Sequence, residues 1–222
     1  MYSYHNVMIE KQYDIISSEF DDTRHRVWGS VKSFLSQTCA LQHRRLLEVG
    51  VGNGKNILFA SQQNYECIGI DISEKLLTIC KNKELNVFKC DIMCLHKDTF
   101  GLFDDIICIA VIHHLENIEE QKIGISNMME CLKSGGRLLI SVWSYEIYHT
   151  DGKQINDYRD FNLGANIVKW KAKDMNNEVD RYYFIHDHKS FEKIFLDLSK
   201  KFDFQYKITW EKQNWFCEVT MN

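Results

Sequence analysis

Arg45-Leu46-Leu47-Glu48-Val49-Gly50-Val51-Gly52-Asn53-Gly54-Lys55-Asn56 is the stretch that decides the fold. Leu46 to Val49 is a short apolar run of the kind that forms a buried strand. Glycines then alternate with other residues, and Ile57-Leu58-Phe59-Ala60 opens a helical pattern. Strand, glycine turn and helix describe the first crossover of a doubly wound α/β sheet. Glycine is needed where the chain turns this sharply and its backbone approaches a ligand, because a Cβ would block both.

The unit recurs downstream. Tyr65-Glu66-Cys67-Ile68-Gly69-Ile70-Asp71 reads as a second strand ending in an acid, spaced from the glycine turn as expected for a carboxylate that grips ribose hydroxyls. An ionised carboxylate offers only acceptors, which suits a vicinal diol. Ser73 is a plausible N-cap for the helix carrying Leu76, Leu77 and Ile79. Asn86 to Ile92 repeats strand then acid, with Asp91 at its end. Phe103 to Ile112 is the most apolar run and reads as a central parallel strand. It delivers His113 and His114 at its carboxyl end, where open α/β sheets bind ligands, and at most one of the pair is expected to face the pocket. An amphipathic helix over Ile118 to Leu132, closed by Lys133-Ser134-Gly135-Gly136 as a C-cap, leads to a strand over Arg137 to Val142 with Trp143 at its end.

Flanking segments are less regular. Tyr13 to Phe20 and Val27 to Leu35 have helical spacing, separated by the basic-aromatic segment Asp21 to Trp28. Residues 145 to about 180 have no clear strand or helix and carry Asp151-Gly152 and three lysines around Trp170. Such a loop is a solvated insertion or a lid, and lysines beside an aromatic could also meet a polynucleotide. A helix near Ser190 to Leu198 and two strands, Phe204 to Trp210 and Trp215 to Met221, close the chain as an antiparallel pair.

A chain of 222 residues, 45% hydrophobic and 26% charged, has the size and composition of one soluble α/β domain. The expected parts are a helical cap over 1–44, a cofactor-binding core over 45–144, a loop insertion over 145–182, and closing elements over 183–222. No apolar run is long enough to span a bilayer. Eight cysteines, scattered and without a C-x-x-C pair, read as reduced thiols of a cytoplasmic or nuclear protein rather than disulfides or a zinc site. A net charge of -4 argues against autonomous RNA binding without excluding a local basic patch.

The glycines at 50, 52 and 54, with Lys55 where a dinucleotide site wants glycine and Glu48 two residues upstream, resemble motif I of class I S-adenosylmethionine-dependent methyltransferases. A more specific resemblance joins Tyr13-Asp14-Ile15-Ile16, Thr23-Arg24 with Trp28, Glu48 to Lys55, and Ile109-Ala110-Val111-Ile112-His113-His114-Leu115. Extended by Val142-Trp143 and Arg181-Tyr182-Tyr183, these match the tRNA wobble carboxymethyluridine methyltransferase family over nearly the whole chain. The family usually has Asp-Val-Gly-Cys-Gly at residues 48–52, and prolines where this chain has Gly29 and Ser134. The stretch between Trp143 and Arg181 is divergent.

The resemblance implies a class I Rossmann-like fold, S-adenosylmethionine as cofactor, and methyl esterification of 5-carboxymethyluridine in tRNA. It also implies a small zinc-binding activating subunit as heterodimer partner. On it, Glu48, Gly50, Gly52, Asn53, Gly54, Asp71, Ile72, Asp91, Ile92, Ile109 and Ala110 are expected to bind cofactor, Asp91 beside the adenine. Arg24, His113, Trp143 and Arg181 are expected at the reacting group. A small-molecule methyltransferase and a catalytically silent binding module are the competing readings.

Overall fold

The computed structural model describes residues 4–38, 43–148, 154–158, 160–171 and 178–222. Two helices come first, α1 (Tyr4–Thr23) and α2 (Gly29–Ser36). An alternating series follows: β1 (Arg44–Val49), α3 (Lys55–Ser61), β2 (Tyr65–Asp71), α4 (Glu74–Asn82), β3 (Val87–Lys89) and α5 (Lys97–Phe100). It continues through β4 (Phe103–Ile109), α6 (Ile118–Glu130) and β5 (Leu132–Trp143). Two short hairpins come next, β6 (Glu146–Tyr148) with β7 (Gln154–Tyr158), and β8 (Gly164–Lys171) with β9 (Glu178–Ile185). Helix α7 (His188–Leu198) and the pair β10 (Phe204–Glu211) and β11 (Asn214–Met221) complete the chain.

Seven strands form one sheet in the order β10-β11-β5-β4-β1-β2-β3. Strands β1 to β5 run parallel, and β11 pairs antiparallel with both β5 and β10. The order reverses between β1 and β4, so a crevice opens at their carboxyl ends. Successive residues of a strand face opposite sides, and the core divides accordingly. Leu47, Ile106 and Ile140 pack with Met128 of α6 and Phe191 and Phe195 of α7. Leu46, Ile107 and Leu139 pack with Val31, Phe34 and Leu35 of α2 on the other side.

The sequence-based reading changes in two places. Lys133 to Gly136 is not a helix cap: α6 ends at Glu130, and these residues lie inside β5. The β4–β5 register shifts there between Phe103 and Asp105, with Gly135 at φ +70, so the glycine pair forms a bulge. The expected loop over 145–182 instead holds both hairpins. Asp151, Gly152 and Lys173 lie outside the described residues. Lys169 is on the outer face of its hairpin, paired with Glu178 at 2.6 Å, and Trp170 points inward.

At the end of the sheet away from the crevice, Asp105 is fully buried. It accepts from Arg44 Nε at 2.7 Å, Arg137 Nε at 2.8 Å and Tyr65 Oη at 2.9 Å. This network ties the start of β4 to β1, β2 and β5.

Candidate active site

The glycine turn lies at the carboxyl end of β1. Gly50 adopts φ +71, and a Cβ there would come within 2.2 Å of Val111 Cγ2. Both the conformation and the close approach require glycine. The Gly50 and Val51 amides donate to the Ile70 carbonyl at 2.8 and 2.9 Å, which fixes the turn against β2. Beside it, Asp71 Oδ2 accepts from the Gly52 amide and Oδ1 from the Ser73 amide, both at 2.9 Å. Burial raises the Asp71 carboxyl above its ordinary value, and the amide donors oppose that shift. Asp91 Oδ1 accepts from the Met93 amide at 2.9 Å, and its Oδ2 from Asn6 Nδ2 at 2.6 Å.

These groups surround a cavity, partly open to solvent, roofed by Asn6, Tyr13 and Phe20 of α1. Of the residues expected to bind cofactor, Gly50, Gly52, Asp71, Ile72, Asp91 and Ile92 line it. The rest stand behind. Glu48 is buried under the turn and accepts from Asn56 Nδ2 at 2.6 Å. Burial pushes its carboxyl up to about 8. Asn53 turns to α1 and its exit, donating to Asp21 Oδ1 and the Arg24 carbonyl, both at 3.0 Å. Gly54 packs against Leu85, and Ile109 packs toward the α2 side of the core. Ala110 is left-handed at φ +59, with its amide held by Ser141.

A second group gathers on the inner face of β8 and β9. Arg181 is buried, its Nη1 donating to Tyr183 Oη at 2.6 Å. Its guanidinium lies 4.6 Å from the Trp170 ring centroid, and that of the exposed Arg24 lies 5.3 Å from the same ring. Trp170 is held by its Nε1 donating to Glu19 Oε2 at 2.8 Å. Among the described residues Arg181 has no carboxylate partner and its Nε has no hydrogen bond. A desolvated arginine of this kind suits an anionic ligand.

The structure therefore brings Arg24 and Arg181 together. His113 and Trp143 connect to Arg181 through Tyr183, whose ring each of the three contacts. His113 is fully buried, and its Nδ1 accepts from the Trp143 amide at 3.1 Å. Trp143 stacks on Tyr183 at 4.2 Å and lies near-parallel to Phe161 at 6.0 Å. His114 is the histidine that lines the cavity. Its Nε2 pairs with Tyr13 Oη and its Nδ1 with the Tyr182 carbonyl, both at 2.7 Å. Sequence reasoning held Tyr13 and Tyr183 only as parts of the family match and passed over Asn6, because their contacts to residues distant in the chain leave no spacing signal.

Burial holds the His114 imidazole down at about 3 and that of His186, which bonds Gln121, at about 4. The unfolded chain protonates these rings near pH 6.5, so below that pH the unfolded state gains protons that the native state refuses. Stability contributed by the histidines is lost as pH falls from about 6.5 toward 4. Glu48 acts oppositely, because its raised carboxyl favours the native state as pH falls from about 8 to 4.5. Glu48→Gln removes that compensation. We expect this variant to lose on the order of 3 kcal/mol more stability than the parent between pH 7 and pH 5, at about 1.4 kcal/mol per proton per pH unit. Urea unfolding at the two pH values measures this, and parallel losses in both proteins would refute it.

The sheet order, the glycine turn and the acids at consecutive strand ends define a class I methyltransferase fold. The chain belongs to the methyltransferase-domain family, whose model matches residues 20–194. It is 34% identical over 139 residues to a tRNA (carboxymethyluridine(34)-5-O)-methyltransferase of Xenopus tropicalis, an alignment covering 62% of this chain and 21% of that protein. The Schizosaccharomyces pombe protein of the same name is 31% identical over 143 residues, covering 64% of this chain and 60% of that one. The chain thus matches about a fifth of the frog protein's length. A sugar N-methyltransferase of Streptoalloteichus superposes with TM-score 0.67 at 12% identity, covering 92% of each chain.

Proposed function

We propose that the chain transfers methyl from S-adenosylmethionine to the carboxylate of 5-carboxymethyluridine at the tRNA wobble position, giving the methyl ester. The supporting observation is the pairing of Arg24 with the buried Arg181 over Trp170, close to a cavity whose acids suit a nucleoside. The relatives named for this reaction support the same reading. The cavity fits the cofactor: amides orient the Asp71 oxygens, leaving lone pairs for a ribose diol, and Asp91 accepts at the next strand end. When bound, the cofactor supplies an electrophilic methyl group on a sulfonium.

The remaining work falls to the chain. A carboxylic acid with a pKa near 4 is already ionised at neutral pH, so no general base is required. Arg24 and Arg181 bind and aim the acceptor oxygen, and orientation supplies most of the rate. The stacked Trp143 and Tyr183 back the site, and His113 holds the Trp143 amide. Asp71→Asn should weaken cofactor binding about tenfold or more, the scale of one hydrogen bond to a charged group. Calorimetry reads this directly, and unchanged affinity would move the ribose elsewhere.

The net charge of -4 leaves the phosphate contacts to local cations or a second chain. A small zinc-binding subunit in a heterodimer meets that need, and the free thiols among the described residues suit a reducing compartment such as the cytoplasm. The test gives the chain methyl-labelled cofactor and tRNA bearing carboxymethyluridine, with and without such a partner, then mild alkali. Label released as methanol marks an ester. Label retained on RNA would mean base or ribose methylation, and transfer only to small carboxylic acids would replace the tRNA reading.

A further inference from the structure

The order of the strands lays out the cofactor along its cavity. Strands β4, β1, β2 and β3 lie side by side. Val111 and His114 follow β4, Gly50 and Gly52 follow β1, Asp71 ends β2, and Asp91 follows β3. With the ribose at Asp71 and the adenine at Asp91, the rest of the cofactor runs toward the ends of β1 and β4. Its sulfur is bonded to the ribose 5′ carbon and comes first along that path. Two aromatic rings of α1 cover this part of the cavity. A Cβ on Gly52 would lie 3.2 Å from Phe20 Cε1, and the Gly52 amide donates to Asp71 Oδ2 at 2.9 Å. Phe20 therefore overlies the residue that orients the ribose-binding carboxylate. Tyr13 meets Phe20 with ring centroids 5.9 Å apart and planes at 77°, and its hydroxyl is paired with His114 Nε2 at 2.7 Å.

The surroundings pose a charge problem. S-adenosylmethionine carries a positive sulfonium, whereas S-adenosylhomocysteine, which remains after transfer, is a neutral thioether. Val49, Val111 and Leu115 line this end of the cavity, and apolar walls penalise the charged form by desolvation. Left uncompensated, that penalty favours the spent product over the substrate. A guest seated in the corner between two near-perpendicular rings meets a face of each, and aromatic faces attract cations. Phe20 already receives one from outside, with the Arg24 guanidinium 5.9 Å from its centroid. We infer that Tyr13 and Phe20 form an aromatic corner that selects the charged sulfonium over the neutral thioether. They are then specificity-determining residues for fresh against spent cofactor. The inference rests on the cofactor placement proposed above and is independent of the methyl acceptor.

The test is calorimetric binding of S-adenosylmethionine and S-adenosylhomocysteine to the full chain. The readout is the ratio of the two dissociation constants, because lost packing weakens both ligands alike and the Asp71 charge is the same in every ring variant. Phe20→Leu and Tyr13→Leu should each shift the ratio toward S-adenosylhomocysteine by about threefold to tenfold, the scale of one cation–π contact in a desolvated site. Tyr13→Phe keeps the ring but removes the hydroxyl from His114, and should keep the parent ratio. A shift shared by Tyr13→Phe and Tyr13→Leu assigns the effect to His114 and overturns the inference. An unshifted ratio in either leucine variant overturns it too, with retained S-adenosylhomocysteine binding showing that the cavity is intact. Should a leucine variant bind neither ligand, methionine at the same position, flexible and not aromatic, takes its place in the comparison. Asp71→Asn tests the premise separately: parent affinities for both ligands in that variant put the ribose elsewhere, and the placement fails whatever the rings do.

Discussion

Arg181→Leu should reduce kcat/KM for carboxymethyluridine RNA by about a hundredfold to a thousandfold, or roughly 3–4 kcal/mol of transition-state stabilisation. The size follows from the setting. The guanidinium is buried against Trp170 and Tyr183, so the proposed contact with a carboxylate would be desolvated. Folding should survive, because no described carboxylate is left unpaired and Tyr183 keeps its stacking on Trp143. Arg181→Lys restores charge but not the planar fork, and should recover only a small part of the loss. The exposed Arg24 is worth less; its replacement should lower turnover while cofactor binding persists. Steady-state kinetics with calorimetric cofactor binding separates these effects. If Arg181→Leu keeps kcat/KM within threefold of the parent, the arginine has no role at the acceptor.

Asp105→Ala should cost about 3–5 kcal/mol of stability and leave the cavity chemistry untouched. The carboxylate has no solvent exposure and serves Arg44, Arg137 and Tyr65 together. Its loss leaves the almost fully buried Arg137 guanidinium with Gln37, Thr38 and the Phe34 carbonyl, and with Glu218 only at 4.0 Å. Pairing Asp105→Leu with Arg137→Met should cost less than Asp105→Ala alone, since both buried charges then disappear. Asp105 stands at the start of β4 and the cavity at its far end, so cofactor affinity per folded molecule should not change. Urea unfolding decides it: a loss under 1 kcal/mol would mean that water or a neighbouring chain rescues Arg137.

The parallel half of the sheet was legible because its signals are local. An apolar strand followed by an acid recurs at Asp71 and Asp91, and the turn at Gly50 demands a residue without a Cβ. The C-terminal hairpin was legible from alternation; along β10 exposure alternates residue by residue. The β8–β9 hairpin was hidden for a physical reason. Its inner face mixes Asn166 and Arg181 with Val168, Trp170, Val179 and Tyr183, while Ile167 points outward and is 61% exposed. Polar residues inside and an isoleucine outside blur the usual pattern of apolar-in and polar-out, so it reads as loop. Arg24 and Arg181, 157 positions apart in number, gave no spacing signal, and the family resemblance alone joined them. The Tyr13–His114 contact was equally silent: a tyrosine on an amphipathic helix looks like core until its hydroxyl is seen to have a partner.

Helix α1 roofs the cavity with Asn6, Tyr13 and Phe20, and through Glu19 it also pins Trp170 of the hairpin. It is a party wall between that cavity and the Arg181–Trp170 cluster, with Asp14 and Asp21 bolting it to Ser73 and Lys83. Neither side can be remodelled alone. A substitution that shifts the helix to suit the arginine cluster also moves the wall of the cavity. Drift in this helix is therefore constrained from two directions.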